Sequence, residues 1–328
     1  MDLTPDEFDD LVGAYALDAC EPDEVEAMER YVAANRDAAA EVERLRVVAS
    51  GIGAAGASRP PVALLERLLS SAEERVSPLQ ADEALQRETD RFDAFLATLD
   101  ERDLGAPTEN GLTVRELVQH VEAVDRAFLA AADDPTVAYI GPDEVAAITA
   151  SDLPGRVDES FTETVTRFRR TREVLGGLRE RLPADRRVAG YGRDNTLVVR
   201  AFETWTHHED ACRALGRDVR LPDAEVMRTM AELAMKSLPL ALAVRGTTQP
   251  GRTARLVLEG AGGGEWFVPC APGETPSSSA DVVIRASVVG WCRRFADRID
   301  ADEVGISVDG DADLARELIS AANVFAGL

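Results

Sequence analysis

Four long segments with the apolar spacing of amphipathic helices follow one another between residues 77 and 222. Thr113 and Glu116 can form a capping box at the start of the second segment. Pro183 cannot continue the third helix, and Gly216 suits the position after the end of the fourth. Because each such helix buries one face, the segments predict a four-helix bundle over residues 77–222. The predicted helices cover Ser77–Leu99, Thr113–Ala132, Glu159–Leu182 and Thr196–Leu215.

Residues 1–75 are predicted to form a short all-helical domain. Thr4-Pro5-Asp6-Glu7 supplies an N-cap, a proline at the first helical position and a glutamate at N3. Further helices are predicted from Pro22 and over Asp37–Ser50. Residues Gly51–Pro61 are rich in Gly, Ala, Ser and Pro and predict a linker, which a short helix over Val62–Arg75 follows.

The pattern changes after residue 222. A helix over Met227–Val244 is followed by short β-like runs that Gly- and Ser-rich turns separate, and these features predict a small α+β domain over residues 223–328. The runs are Ala254–Glu259, Glu265–Cys270 and Asp281–Ala286, followed by a helix at Val288–Arg298, a strand at Gly305–Val308 and a helix at Ala312–Phe325. The chain is therefore predicted to be multi-domain and mainly α-helical.

The charge balance limits the partners of the chain. It has 60 acidic and 36 basic residues, and a net charge of −24 disfavours direct binding of nucleic acid. No apolar run of 18 residues occurs and the N-terminus is acidic, so neither a membrane span nor a signal peptide is predicted. Cys20, Cys212, Cys270 and Cys292 form no C-x-x-C pair, which favours a reducing, cytoplasmic setting.

The only three histidines fall in the predicted bundle. Glu203 and His207 are four residues apart, so they project from one helical face and can reach the same ion. His120 lies on another helix and completes a set of two imidazoles and one carboxylate, which leaves coordination positions open for water or substrate. His208 is not preferred, because no carboxylate precedes it by four residues, whereas Asp210 can orient His207.

Two plainer interpretations of these residues remain open. A glutamate and a histidine at this spacing also occur as a solvated pair on a helix surface. His120 lies beside the apolar stripe of Leu117, Val121, Val124 and Phe128, where a single histidine can be a hydrogen-bonded core residue.

Two segments, Thr113–Val121 and Arg200–Asp210, resemble the DinB-like metal-binding bundles, specifically the mycothiol-dependent maleylpyruvate isomerase family. The resemblance implies that His120, Glu203 and His207 bind a divalent metal, with zinc as the expected ion, and that mycothiol is the thiol cosubstrate. The C-terminal region resembles the smaller α+β domain of these enzymes. There the resemblance implies Arg298 as an anchor for a substrate carboxylate, although the family's usual Gly-Arg is Asp297-Arg298 in this chain.

The first 75 residues resemble the zinc-binding anti-sigma domain of actinobacterial regulators, through the segment Leu11–Glu24. Tyr31, Asn35 and Ala38 stand where that domain has its metal-binding histidine and two cysteines, so zinc is not expected to bind there. The resemblance implies a helical scaffold whose possible partner is a sigma factor.

Two functional hypotheses follow from the sequence. The first is a metal-dependent, mycothiol-using isomerase or thiol transferase that acts on a small electrophilic substrate resembling a conjugated acid. The second is an anti-sigma-type transcriptional regulator, which binds a sigma factor through residues 1–75 and uses the metal bundle as a sensor. A third interpretation is a bundle that binds a metal or ligand without turnover.

Overall fold

The computed structural model describes residues 3–17, 19–20, 22–56 and 76–323. The chain divides into two compact units, Met1–Glu66 and Arg67–Leu328. Helices dominate both, and a small sheet follows a helical bundle in the second unit, so the predicted mainly α, multi-domain fold is confirmed. No helix among the described residues is long and apolar enough to cross a membrane.

The first unit contains three helices: α1 (Pro5–Ala16), α2 (Pro22–Ala34) and α3 (Arg36–Gly56). The predicted capping box at α1 is confirmed, because the Thr4 side chain accepts from the Glu7 amide and the Glu7 carboxylate accepts from the Thr4 amide. The linker prediction is wrong for residues 51–56, where α3 continues to Gly56 although three of these six residues are glycine. The rest of that linker and the predicted helix over 62–75 lie outside the described residues.

The three residues at the positions of the anti-sigma metal ligands make packing contacts and hydrogen bonds within the first unit. Tyr31 stacks on Phe8 with ring centroids 5.0 Å apart. Asn35 donates from Nδ2 to the Tyr31 carbonyl at 2.9 Å, and Ala38 lies in the apolar core of this unit. Binding of a sigma factor to residues 1–75 stays a prediction.

Four long helices form the predicted bundle: α4 (Ala81–Leu96), α5 (Val114–Asp133), α7 (Phe161–Gly176) and α9 (Arg193–Ala214). The capping box of Thr113 and Glu116 at α5 is confirmed. The third helix is shorter than predicted, because Gly176 and Gly177 interrupt it before a single further turn, α8 (Leu178–Arg181). Gly216 adopts φ +60° after α9, the left-handed conformation that glycine tolerates best.

One further helix of this unit was not predicted from the sequence. It is α6 (Pro142–Asp152), which precedes a short 3₁₀ turn at Leu153–Arg156. A two-stranded hairpin, β1 (Arg187–Val188) with β2 (Tyr191–Gly192), leads into α9. The helix α9 is the centre of the bundle, since every residue from Thr196 to Cys212 is buried. The charged residues of α9 therefore need partners inside the protein.

The helix α10 (Ala224–Arg245) runs from the bundle to the sheet and contains Pro239. The sheet has the order β4-β3-β5-β6, in which β3 and β5 are parallel and the other pairs are antiparallel. The predicted strands are confirmed with small shifts of their ends. The elements are β3 (Thr253–Glu259), β4 (Gly264–Pro269), β5 (Val282–Ser287), α11 (Val288–Phe295), β6 (Ser307–Gly310) and α12 (Ala312–Ala321). A domain boundary near residue 222 stays a prediction.

Candidate metal centre

The structure brings together the three residues that the sequence singled out as metal ligands. Glu203 and His207 lie one turn apart on α9, and His120 reaches them from α5. Their ligand atoms all lie within 4.8 Å of one another, and all three residues are buried. The rings of His120 and His207 meet edge to face, with centroids 5.0 Å apart. The surface-pair interpretation is therefore wrong for Glu203 and His207, which are 2% and 3% exposed.

Two buried atoms of this cluster lack an ordinary partner. Nε2 of His207 and Oε2 of Glu203 are 3.1 Å apart, and neither makes a hydrogen bond within the part of the chain that the structure describes. Leaving such atoms unsatisfied in the interior is costly. A cation placed between them satisfies both, and two imidazoles with one carboxylate are a donor set that suits Zn²⁺. The residues present thus fit a divalent metal.

The tautomer of His120 follows from a residue on α6. The Thr149 hydroxyl donates to the Val145 carbonyl at 2.8 Å, so its oxygen is left to accept from the imidazole. Nδ1 of His120 lies 2.7 Å from that oxygen. The proton therefore sits on Nδ1, and Nε2 keeps a lone pair for a metal.

Asp210 holds the second imidazole. Its Oδ2 atom lies 3.1 Å from Nδ1 of His207, a position that suits the orienting role predicted for this residue. The same oxygen lies 3.1 Å from Nη2 of Arg298. Burial acts to raise the pKa of Asp210, but the hydrogen bond from His207 and the charge of Arg298 hold that pKa below its usual value. Asp210 is thus an anion that orients His207 Nε2 toward Glu203.

The two imidazoles differ in their affinity for protons. Burial, together with the nearby charges of His207, Arg200 and Arg298, lowers the pKa of His120 well below its usual value. For His207 burial acts in the same direction, yet the hydrogen bond to Asp210 and the nearby negative charge of Glu203 raise the pKa. His120 is therefore neutral near neutral pH and ready to act as a ligand, whereas in the absence of a metal a proton competes for His207.

Arg298 reaches this cluster from the segment after α11. That helix ends at Phe295, three residues earlier than predicted, because Asp297 turns the chain with φ +56°. Nη1 of Arg298 donates to the Ala296 carbonyl at 3.0 Å. Its Nε atom is buried and has no hydrogen-bond partner among the described residues. The predicted anchor therefore lies beside the predicted ligands with a donor to spare.

Two tertiary contacts of the residues at and around the metal centre were not predicted from the sequence. Thr149 lies on α6, whose start was signalled by Pro142 at the first helical position and Glu144 at N3. Glu209 accepts a bidentate pair of hydrogen bonds from Arg293 of α11, at 3.0 and 2.8 Å. No local pattern pairs residues so far apart in sequence, so this second contact could not have been found.

His208 lies away from the centre. Its ring packs against Phe92 and Phe95, with centroids 5.6 and 4.7 Å away. Burial, with a smaller effect from the charge of Arg91, lowers the pKa of His208 to about 4. It is a neutral core histidine, which agrees with its exclusion from the ligand set.

Residues 85–212 match the family model described as the mycothiol maleylpyruvate isomerase N-terminal domain. The chain is also similar to two curated relatives, the uncharacterized proteins MT0041 of Mycobacterium tuberculosis (strain CDC 1551 / Oshkosh) and Rv0036c of Mycobacterium tuberculosis (strain ATCC 25618 / H37Rv). Each is 29% identical over 271 residues, which cover 76% of this chain and 96% of the relative.

Two solved structures are similar to the chain. One is a mycothiol-dependent maleylpyruvate isomerase, with 21% identity and a TM-score of 0.41. The other is a mutant of such an isomerase, with 20% identity and a TM-score of 0.42. Each match covers 71% of this chain and 95% of the other.

Proposed function

We propose that this chain is a metal-dependent enzyme that uses mycothiol, because residues 85–212 match the model of the mycothiol maleylpyruvate isomerase N-terminal domain. Its reaction is the isomerisation of a small conjugated acid or the transfer of a thiol to a small electrophile. The observation that carries the proposal is the buried pair of Glu203 Oε2 and His207 Nε2, at 3.1 Å and without hydrogen bonds to the described residues.

The ligands of the proposed metal are His120, Glu203 and His207. When bound, a divalent ion, with zinc as the expected one, supplies a Lewis acid that lowers the pKa of a coordinated thiol. Thr149 and Asp210 hold the two imidazoles so that each Nε2 lone pair points into the cluster. Burial of the three ligands keeps bulk water away, which strengthens every electrostatic interaction inside.

Arg298 binds and orients the substrate in this proposal. A guanidinium offers donors in a planar fork that matches a carboxylate. Asp210 fixes Nη2 of Arg298 at 3.1 Å, and the Nε atom is buried beside the centre without a partner in the described chain. A substrate carboxylate that accepts from Nε would be held beside His207 and Asp210, next to the proposed metal ligands.

The cysteines support the use of an external thiol. Burial is the first cause of a raised pKa at Cys212, Cys270 and Cys292, and the pKa of Cys270 reaches about 11. The pKa of Cys20 is raised as well. All four are therefore protonated near neutral pH and are poor nucleophiles. A thiol chemistry in this protein needs a cosubstrate that carries its own sulfur.

Elemental analysis tests the metal. Protein reconstituted with Zn²⁺ and desalted is expected to retain about one equivalent, whereas His207→Ala retains less than about a tenth of that amount. His208→Ala is the matched control, because His208 is the next residue on α9 but packs against Phe92 and Phe95. Wild-type protein that retains no more metal than His207→Ala would refute the metal centre.

A kinetic assay tests the reaction. The zinc-loaded protein is mixed with maleylpyruvate, and isomerisation is followed by ultraviolet absorbance with and without mycothiol. Turnover that requires both the metal and mycothiol supports the proposal. Stoichiometric metal without turnover of maleylpyruvate or a panel of other electrophiles would leave a ligand-binding bundle, the third interpretation of the sequence, and would defeat the proposed activity.

A further inference from the structure

Three charged side chains meet in the centre of the bundle, one from each of three helices. Asp125 of α5 accepts from Nε of Arg200 of α9 at 2.7 Å. Its other oxygen lies 2.5 Å from Nε of Arg172 of α7. The side chains of Asp125 and Arg200 are completely buried, and that of Arg172 is 2% exposed. The metal site that this chain is proposed to carry does not include these residues.

The charges of this triad do not balance. Two guanidinium groups share one carboxylate, and Nη1 and Nη2 of both arginines have no hydrogen-bond acceptor among the residues that the structure describes. The rings of Phe168 and Phe128 lie 5.2 and 5.5 Å from the two guanidinium carbons and offset only part of the cost. An excess positive charge in a dry interior is expensive unless another group compensates it.

Glu203 supplies the compensating charge. It follows Arg200 by three residues on α9, and its negative charge acts on Arg172. Burial lowers the pKa of Arg172 to about 10, while the charges of Asp125 and Glu203 oppose that fall. The charge of Arg200 also reaches the opposite ligand, where it lowers the pKa of His120. The triad is therefore electrically coupled to both sides of the metal centre.

With both imidazoles neutral, as metal binding requires, the buried charges of the metal centre and the triad sum to zero. Asp125, Glu203 and Asp210 are negative, and Arg172, Arg200 and Arg298 are positive. Arg213 and Arg293 lie further out, where they pair with Glu209 and are 31% and 25% exposed, so solvent screens them more strongly. When a divalent ion binds to Glu203, the centre and the triad together therefore carry a net charge of +2.

We propose that Arg172 and Arg200, held by Asp125, make the loaded metal centre select anionic ligands over neutral ones at its open positions. The inference rests on the proposed metal function and assigns the triad a positioning role, because none of its members touches the ligand. In a medium of low dielectric the uncompensated charge stabilises an anionic thiolate or carboxylate much more strongly than a neutral donor. The two anions that the proposed reaction needs would neutralise the centre.

The inference makes two opposite predictions for Arg172→Met. Removing one positive charge should tighten the binding of Co²⁺, measured by competition with a chromophoric chelator, by about tenfold or more. It should weaken the binding of thiocyanate to the Co²⁺-loaded protein, measured from the visible absorption of the metal, by about tenfold. Imidazole, a neutral ligand, should bind within about threefold of wild type in the same titration. If the substitution only disturbed the fold, the affinities for Co²⁺, thiocyanate and imidazole would all decrease.

Arg169→Met is the matched control. Arg169 lies on the same helix, and the substitution changes the charge of the protein by the same amount, but its side chain is 53% exposed and pairs with Asp93. It should leave all three affinities unchanged. Asp125→Asn serves as the second variant, in case Arg172→Met does not fold. It adds a positive charge, so it should weaken Co²⁺ and tighten thiocyanate.

The outcomes separate this inference from the proposed function. In one outcome the wild-type protein binds Co²⁺, but the ratio of thiocyanate affinity to imidazole affinity is the same in the variants as in the wild type. This result overturns the role of the triad and leaves the metal centre intact. Wild-type protein that binds no Co²⁺ overturns both. Opposite shifts of metal and anion affinity in Arg172→Met and Asp125→Asn are the result that supports the inference.

Discussion

The Oδ2 atom of Asp210 lies 3.1 Å from the Nδ1 atom of His207, one turn earlier on the same helix. Because Arg298 approaches the same carboxylate oxygen at 3.1 Å, one anion orients both a proposed ligand and the proposed substrate anchor. A defect at Asp210 should therefore affect metal binding and substrate binding together.

For Asp210→Ala we expect the affinity for Zn²⁺ to fall by about 10- to 100-fold, since the imidazole of His207 loses its orienting partner. The measurement is competition with a chelator of known affinity. Asp313→Ala is the control, because the side chain of Asp313 is 85% exposed and pairs only with Arg316 among the described residues. Equal affinities in both variants would show that Asp210 does not orient the ligand.

Arg293→Met should destabilise the protein by about 3 kcal/mol, because Glu209 is 1% exposed and would lose its bidentate partner inside the protein. Trp205 and Arg213 keep their hydrogen bonds to Glu209, which limits the loss. Arg316→Met removes an ion pair whose arginine is 71% exposed and should cost less than about 1 kcal/mol. Urea unfolding compares the two, and similar costs would contradict a structural role for the Arg293–Glu209 contact.

Asp297→Gly should stabilise the protein by about 1 kcal/mol. Asp297 has φ +56°, a conformation in which glycine is not strained. Its ion pair with Arg294 is partly exposed and offsets little of the gain. Asp297→Ala keeps the strained backbone and should be no more stable than wild type. Differential scanning calorimetry separates the variants, and a lower melting temperature for the glycine variant would refute the strain.

His208 should make the protein less stable in mild acid. Its folded pKa is lowered to about 4, so the unfolded chain binds the proton more readily between pH 6.5 and 4. Stability is therefore fully present above about pH 6.5 and decreases as the pH falls, by about 2 kcal/mol at pH 5. In His208→Leu the free energy of unfolding in urea should vary less between pH 7 and pH 5. A pH dependence as steep as that of wild type would contradict this assignment.

The local features of the fold followed from the sequence, because they depend on neighbours within one helical turn. The capping boxes at Thr4 and Thr113 and the turn at Gly216 are confirmed on this ground. The common face of Glu203 and His207 follows from helical geometry in the same way. Helix ends were less well predicted. The helix α11 ends at Phe295 because the chain turns at Asp297, and an aspartate in a sequence does not by itself predict a left-handed backbone conformation.

The sequence by itself thus determined the helical bundle, the α+β region after it and the pair Glu203 and His207 on α9. Only the tertiary structure decided that His120 of α5 meets that pair within 4.8 Å, since the approach depends on how two helices pack. The tertiary structure also decided three contacts of the centre: Thr149 with His120, Arg298 with Asp210, and Arg200 with Asp125. Contacts between separate elements carry no periodic signal in a single sequence.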